Sequence, residues 1–157
     1  MSDVETALAP LADAPGPAKL HASAVALDGP DGTPGALLLL GPSGAGKSTR
    51  ALELIALGAR LVADDRTRLT RAGETLLAAP VPPLEGRIEA RGLGLLTLPH
   101  LAEAPVLAAC DLSAAELRRL PPRREIRLLG LAAPLILAKE IPAAALFALL
   151  AAGGRRE

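Results

Sequence analysis

The feature that most constrains this chain is Gly41-Pro42-Ser43-Gly44-Ala45-Gly46-Lys47-Ser48, set between an apolar run and a helix-forming stretch. Ala36–Leu40 is short, wholly apolar and bounded by Gly35 and Gly41, the pattern of a buried central strand. Lys47 to about Leu57 can bring Leu52, Ile55 and Ala56 to one face, and Gly58 stands where a helix stops. Strand, G-x-x-x-x-G-K-S and helix in that order form a phosphate-binding loop. Its glycines let successive backbone N–H groups turn toward phosphate oxygens, and the helix adds the positive end of its dipole. Gly41 to Lys47 would cradle the phosphates, Lys47 would reach the β- and γ-phosphates, and the Ser48 hydroxyl would meet Mg²⁺. Thr49 follows in the first helical turn.

The rest of the chain reads as one α/β unit around that loop. Residues 1–18 are rich in Ala and Pro and read as a loose leader; 19–152 form a single phosphate-loop domain and 153–157 a polar tail. Leu20–Leu27 can be a strand. The turn-forming run Asp28–Gly35 would return it as a hairpin into Ala36–Leu40. Arg60–Ala63 is a short strand ending at Asp64-Asp65, and Arg71–Glu74 is a turn between two more. Ile88–Leu98 is the regular part of a Pro- and Gly-punctuated region. Val106–Leu112, Ile126–Leu128 and Leu135–Leu137 read as strands, and Pro142 opens a last helix through Leu146, Phe147 and Leu150. With Phe147 the only aromatic residue, the core must be built from Leu, Ala, Val and Ile.

Composition removes several function classes. Basic and acidic residues number 17 each, so no overall basic field attracts nucleic acid. Arg118-Arg119 and Arg123-Arg124 read as a solvated face. Cys110 stands alone, which excludes an intramolecular disulfide and suggests a small buried residue. No apolar run approaches the ~18 residues that span a bilayer. A cytoplasmic protein with no membrane partner is expected.

Two charged segments carry further chemistry. Asp64-Asp65 could hold Mg²⁺ or accept a proton from an attacking hydroxyl, or could be an acidic turn paired with Arg66 or Arg68. On one strand, Arg87, Glu89 and Arg91 would share a face, suited to metal and phosphate or to a solvated edge. His21, alone on its strand, reads more readily as a structural residue than as a functional one. His100 matches no motif.

Together, His21, Gly41–Ser48, Leu61-Val62-Ala63-Asp64-Asp65 and Ile88-Glu89-Ala90-Arg91-Gly92-Leu93-Gly94 resemble the catalytic domain of HPr kinase/phosphorylase. The resemblance covers roughly residues 20 to 112 and is to the short, catalytic-domain-only form. It implies an α/β phosphate-loop kinase domain with a mixed central sheet, of the HPr kinase and phosphoenolpyruvate carboxykinase type. It implies ATP and Mg²⁺, an HPr-like phosphocarrier as substrate, transfer to a serine, and a homo-oligomer. In its terms Asp64 is the general base, Asp65 supports metal and phosphate, and Glu89 joins Ser48 at the metal. Arg91 orients the base or the phosphate, and His21 lies near the active site. Thr49 departs from the acidic residue many members carry, and Pro121-Pro122-Arg123-Arg124 does not match the Arg-, Pro-, Gly- and Asn-rich loop linked to dephosphorylation. Kinase activity is therefore expected and phosphorolysis left open. A metabolite kinase or NTPase, or a silent nucleotide-responsive module, would use the same loop.

Overall fold

The computed structural model describes residues 2–157. Its centre is β3 (Pro34–Leu40), buried over almost its whole length. Antiparallel β2 (Ala22–Asp28) lies on one side, in continuous register from Ala22 opposite Leu40 to Asp28 opposite Pro34. Parallel β9 (Ala104–Asp111) lies on the other. The expected hairpin is therefore present, and β4 (Arg60–Ala63) pairs with the outer edge of β2.

Side chains alternate across β3, and the two faces bury different layers. Leu37 and Leu39 pack with Ala51 and Leu54 of α2 (Lys47–Leu57) and Leu146 and Leu150 of α3 (Ala143–Ala151). Leu38 and Leu40 face the second layer with Leu69, Leu128 and Leu135. Apolar demand on both faces explains why the strand reads as an unbroken Ala-Leu run.

That second layer arises because the sheet curls and branches at β9. The start of β9 pairs with β6 (Thr75–Pro80) and its end with parallel β11 (Leu131–Leu137). From β6 the nine-stranded sheet continues through β5 (Thr67–Ala72) to β1 (Ala18–Leu20), and β11 pairs with β10 (Arg124–Leu128). The fold is thus α/β with a mixed central sheet, as the sequence implied.

Three local expectations are corrected. Leu20–Leu27 is not one strand: β1 pairs with β5, β2 pairs with β3 and β4, and the chain changes partners at His21. Ile88–Leu98 is a separate hairpin, β7 (Arg87–Ala90) with β8 (Gly94–Thr97), so Arg91 stands in its turn and not on a strand face with Arg87 and Glu89. The leader expected to be loose is ordered. Asp3–Leu8 forms α1, closed by a capping box in which the Ser2 hydroxyl accepts from Glu5 N and Glu5 accepts from Ser2 N. Val4 is buried, and the carbonyls of Leu11 and Ala12 accept from Leu129 and Gly130 N–H. Leu8, Leu11 and Ala14 pack against the buried layer, and Pro10 stands at the start of a 3-10 turn, where its missing N–H leaves no bond unmade.

Candidate active site

The loop occupies the position its flanking elements demand, leaving the end of β3 and entering α2 at Lys47. Gly46 caps the helix at φ 87°, a conformation costly for any residue with a Cβ, so glycine here is a backbone requirement. Lys47 is buried, and its ammonium donates to the carbonyls of Gly41 (2.8 Å) and Pro42 (3.1 Å). Burial pushes the Lys47 pKa below its ordinary value, while the Asp65 and Asp64 carboxylates pull the other way. Ala45 N–H donates to the Pro42 carbonyl and tightens the loop.

The loop forms one wall of a polar cleft of about 180 Å³. Ser43, Gly44, Gly46, Lys47, Ser48 and Thr49 line that wall. Facing them are His21, Asp65, Glu89 and Arg91, delivered by the β1–β2 junction, the end of β4 and the β7–β8 hairpin. The structure therefore brings most of the candidate residues into one space. Gly41 and Pro42 instead line an apolar hollow beside it, formed with His21, Leu40 and α1.

Asp64 and Asp65 occupy different environments. Asp64 is half-buried, and its Oδ1 accepts the hydroxyls of Ser23 and Ser48, each at 2.7 Å. Its Oδ2 accepts Glu89 N–H at 3.1 Å, tying the β7–β8 hairpin to the loop. Asp65 adopts φ 62°, a left-handed conformation uncommon for a residue with a Cβ, and its carboxylate meets a different partner. Its Oδ1 lies 2.7 Å from His21 Nε2, with side chains 62% and 47% exposed respectively. Neither the Arg66 nor the Arg68 side chain pairs with the aspartates among the described ion pairs; His21 and two serines take that place.

Ser23 escaped the sequence reading. It is fully buried on β2, and besides donating to Asp64 it accepts Asp65 N–H at 3.2 Å. Its only trace in the sequence is one hydroxyl in the otherwise apolar run Ala22–Leu27.

The oxygen set suits Mg²⁺. Among the described residues no group of three or more His, Cys, Asp or Glu side chains could cage a metal ion by itself. Mg²⁺ is ordinarily held by one or two carboxylates together with phosphate oxygens and water. Ser48, Asp65 and Glu89 on the walls of the cleft beside the glycine loop fit that requirement.

Elsewhere, Cys110 is fully buried and burial pushes its thiol up to about 12, as a packing residue should be. Arg118 and Arg119 are exposed, whereas Arg124 pairs with Glu116 and Arg123 donates to the Arg156 carbonyl. No helix among the described residues is long and apolar enough to cross a membrane.

Comparison with known proteins agrees with the geometry. The HPr kinase/phosphorylase of Neisseria meningitidis serogroup C is 48% identical over 66 residues, 41% of this chain and 21% of that protein. That of Caldanaerobacter subterraneus is 47% identical over 66 residues, 41% of this chain and 22% of the relative. These matches span about a fifth of the curated relatives' length. The HPr(Ser) kinase/phosphatase structure from Coxiella burnetii superposes with a TM-score of 0.69 at 22% identity, covering 85% of this chain and 88% of that one. The family model for the HPr Serine kinase C-terminal domain matches residues 21–103, just over half of the chain and every cleft wall described above. The chain belongs to the HPr serine kinase C-terminal domain family.

Proposed function

We propose that this protein is a Mg²⁺-dependent, ATP-using protein-serine kinase acting on an HPr-like phosphocarrier. The observation that carries the reading is the His21–Asp65 pair, 2.7 Å apart, facing the phosphate loop across one cleft. A pure nucleotide binder needs the loop but has no use for an exposed, oriented carboxylate opposite it.

In this reading the loop N–H groups and Lys47 hold the ATP phosphates, with Lys47 exchanging the Gly41 and Pro42 carbonyls for phosphate oxygens. Asp65, oriented by His21, accepts the proton of the carrier serine as that oxygen bonds to the γ-phosphorus and the bond to ADP breaks. Arg91 balances charge on the transferring group. A bound Mg²⁺ supplies charge neutralisation at the phosphates; Ser48 and Glu89 would hold it directly and Asp65 would face it through water, which leaves a carboxylate oxygen for the serine proton. The base assigned to Asp64 by resemblance moves to Asp65 here, because both oxygens of Asp64 already accept hydrogen bonds from Ser23, Ser48 and Glu89. Phosphorolysis would use the same groups on a different acceptor: an oxygen of inorganic phosphate bonds to the seryl phosphorus as its bond to the serine oxygen breaks, Asp65 returns a proton to that oxygen, and pyrophosphate leaves.

The test is to incubate the full chain with ATP, Mg²⁺ and an HPr-like carrier and follow phosphoserine by mass spectrometry, then repeat from phosphocarrier with inorganic phosphate. Phosphoserine that depends on Asp65 is the expected result. ATP turnover or metabolite phosphorylation without carrier, and no phosphoserine with it, would replace the reading by a metabolite kinase. Nucleotide binding without any transfer would leave a regulatory module. We also propose a homo-oligomer in the cytoplasm; Leu117 and Leu120, 93% and 81% exposed, are among the large apolar side chains an interface would cover. Light scattering on the purified chain and cell fractionation check these two points.

A further inference from the structure

We infer that Ser23 is a positioning residue that sets the cation affinity of the site by holding Asp64 and Asp65 in their divergent arrangement. The inference rests on the kinase reading only for its activity readout. Ser23 is fully buried, yet its hydroxyl makes two bonds to two consecutive residues 41 and 42 positions away. The proton goes to Asp64 Oδ1 at 2.7 Å, and the oxygen accepts Asp65 N–H at 3.2 Å.

Each bond has a separate consequence. The first fixes the carboxylate that also accepts the Ser48 hydroxyl, so the Ser48 proton is committed to Asp64 and its lone pairs are left for a cation. The second helps hold Asp65 at φ 62°, a conformation a non-glycine residue avoids, with the Asp65 carbonyl further tied to Ala22 N–H. The two carboxylates diverge in their partners, Asp64 meeting the Ser23 and Ser48 hydroxyls and Asp65 meeting His21. A residue with no atom in the cleft thereby sets the direction of two that serve it. Groups that orient metal ligands in this manner typically change affinity or activity by about 10- to 100-fold when removed.

The test compares wild type with Ser23→Ala and Ser23→Thr in the full chain. Mn²⁺ binding in the presence of ADP is measured by calorimetry, beside the Mg²⁺ dependence of phosphoserine formation. Ser23→Ala should raise the Mn²⁺ dissociation constant and the half-saturating Mg²⁺ concentration about 10- to 100-fold. Ser23→Thr, which keeps the hydroxyl, should restore both to within roughly threefold of wild type, a recovery that cavity or packing effects would not produce. If Ser23→Ala does not fold, Ser23→Cys, with its weaker donor, should fall between Thr and wild type on one side and complete loss on the other. Unchanged Mn²⁺ affinity in folded Ser23→Ala or Ser23→Cys overturns the inference, as does equal impairment in Ser23→Thr. Absence of carrier phosphorylation in wild type would refute the kinase reading while leaving the calorimetric comparison decisive for Ser23.

Discussion

Asparagine replacements at Asp64 and Asp65 should fail in opposite ways, and the structure sets the size of each effect. In Asp64→Asn the amide oxygen can still accept from Ser23 and Ser48, but the amide nitrogen then meets Glu89 N–H, donor against donor. One hydrogen bond to a charged acceptor is lost, which costs about 1.5–3 kcal/mol. In a domain of this size that corresponds to a fall in Tm of roughly 3–12 °C. The Asp65 side chain is 62% exposed and its bond to the 47% exposed His21 survives in an amide, so Asp65→Asn should change stability by less than about 1 kcal/mol. Activity should show the reverse order. Without a carboxylate to take the serine proton, Asp65→Asn should lose about 100- to 10,000-fold in kcat at saturating Mg²⁺. Asp64→Asn should lose about 10- to 100-fold, much of it recovered by raising Mg²⁺, because Asp64 acts through Ser48. Scanning calorimetry and initial rates over a Mg²⁺ series separate the two. An Asp64→Asn protein that melts with wild type and is dead at every Mg²⁺ concentration, beside an active Asp65→Asn, would refute the division of roles.

Three further outcomes are expected. A Cβ at Gly86, where φ is 72°, would stand 2.7 Å from His100 Nδ1 and 2.8 Å from the Leu98 carbonyl, so Gly86→Ala should cost about 1–3 kcal/mol and, by shifting the hairpin that carries Glu89 and Arg91, lower transfer; denaturant titration and rate assays read both. Cys110, fully buried with its thiol at about 12, should resist thiol reagents at pH 8 until the chain unfolds; since the folded state keeps a proton the unfolded state releases, stability should fall as pH rises from about 9 toward about 12, and Cys110→Ala should remove that fall. Lys47, depressed by burial, has the opposite sign: the unfolded chain holds its proton to higher pH, so stability should rise with pH from the depressed value toward the ordinary lysine range, a rise absent from Lys47→Met, which should also abolish transfer.

The loop, its strand and its helix were legible because each is a local pattern. Glycine spacing, an unbroken apolar run and a glycine stop need no knowledge of distant residues, and α2 runs from Lys47 to Leu57 as read, although the face it buries carries Ala51 and Leu54, with Leu52 and Ile55 only half-buried and Ala56 exposed. The β2–β3 hairpin and the turn between β5 and β6 were readable from their turn residues for the same reason. The order of α1 was not, because a six-residue helix has little stability of its own and depends on the buried Val4 and on carbonyls paired with the distant Leu129–Gly130 turn. The phosphate loop thus belongs to the sequence by itself, along with the residue types able to serve it. Tertiary structure alone decided which aspartate faces the cleft, that His21 sits at a change of strand partner, and that Ser23 bridges the pair. Those outcomes depend on sheet pairing between segments some forty residues apart and on one left-handed turn at Asp65, neither of which has a local signature.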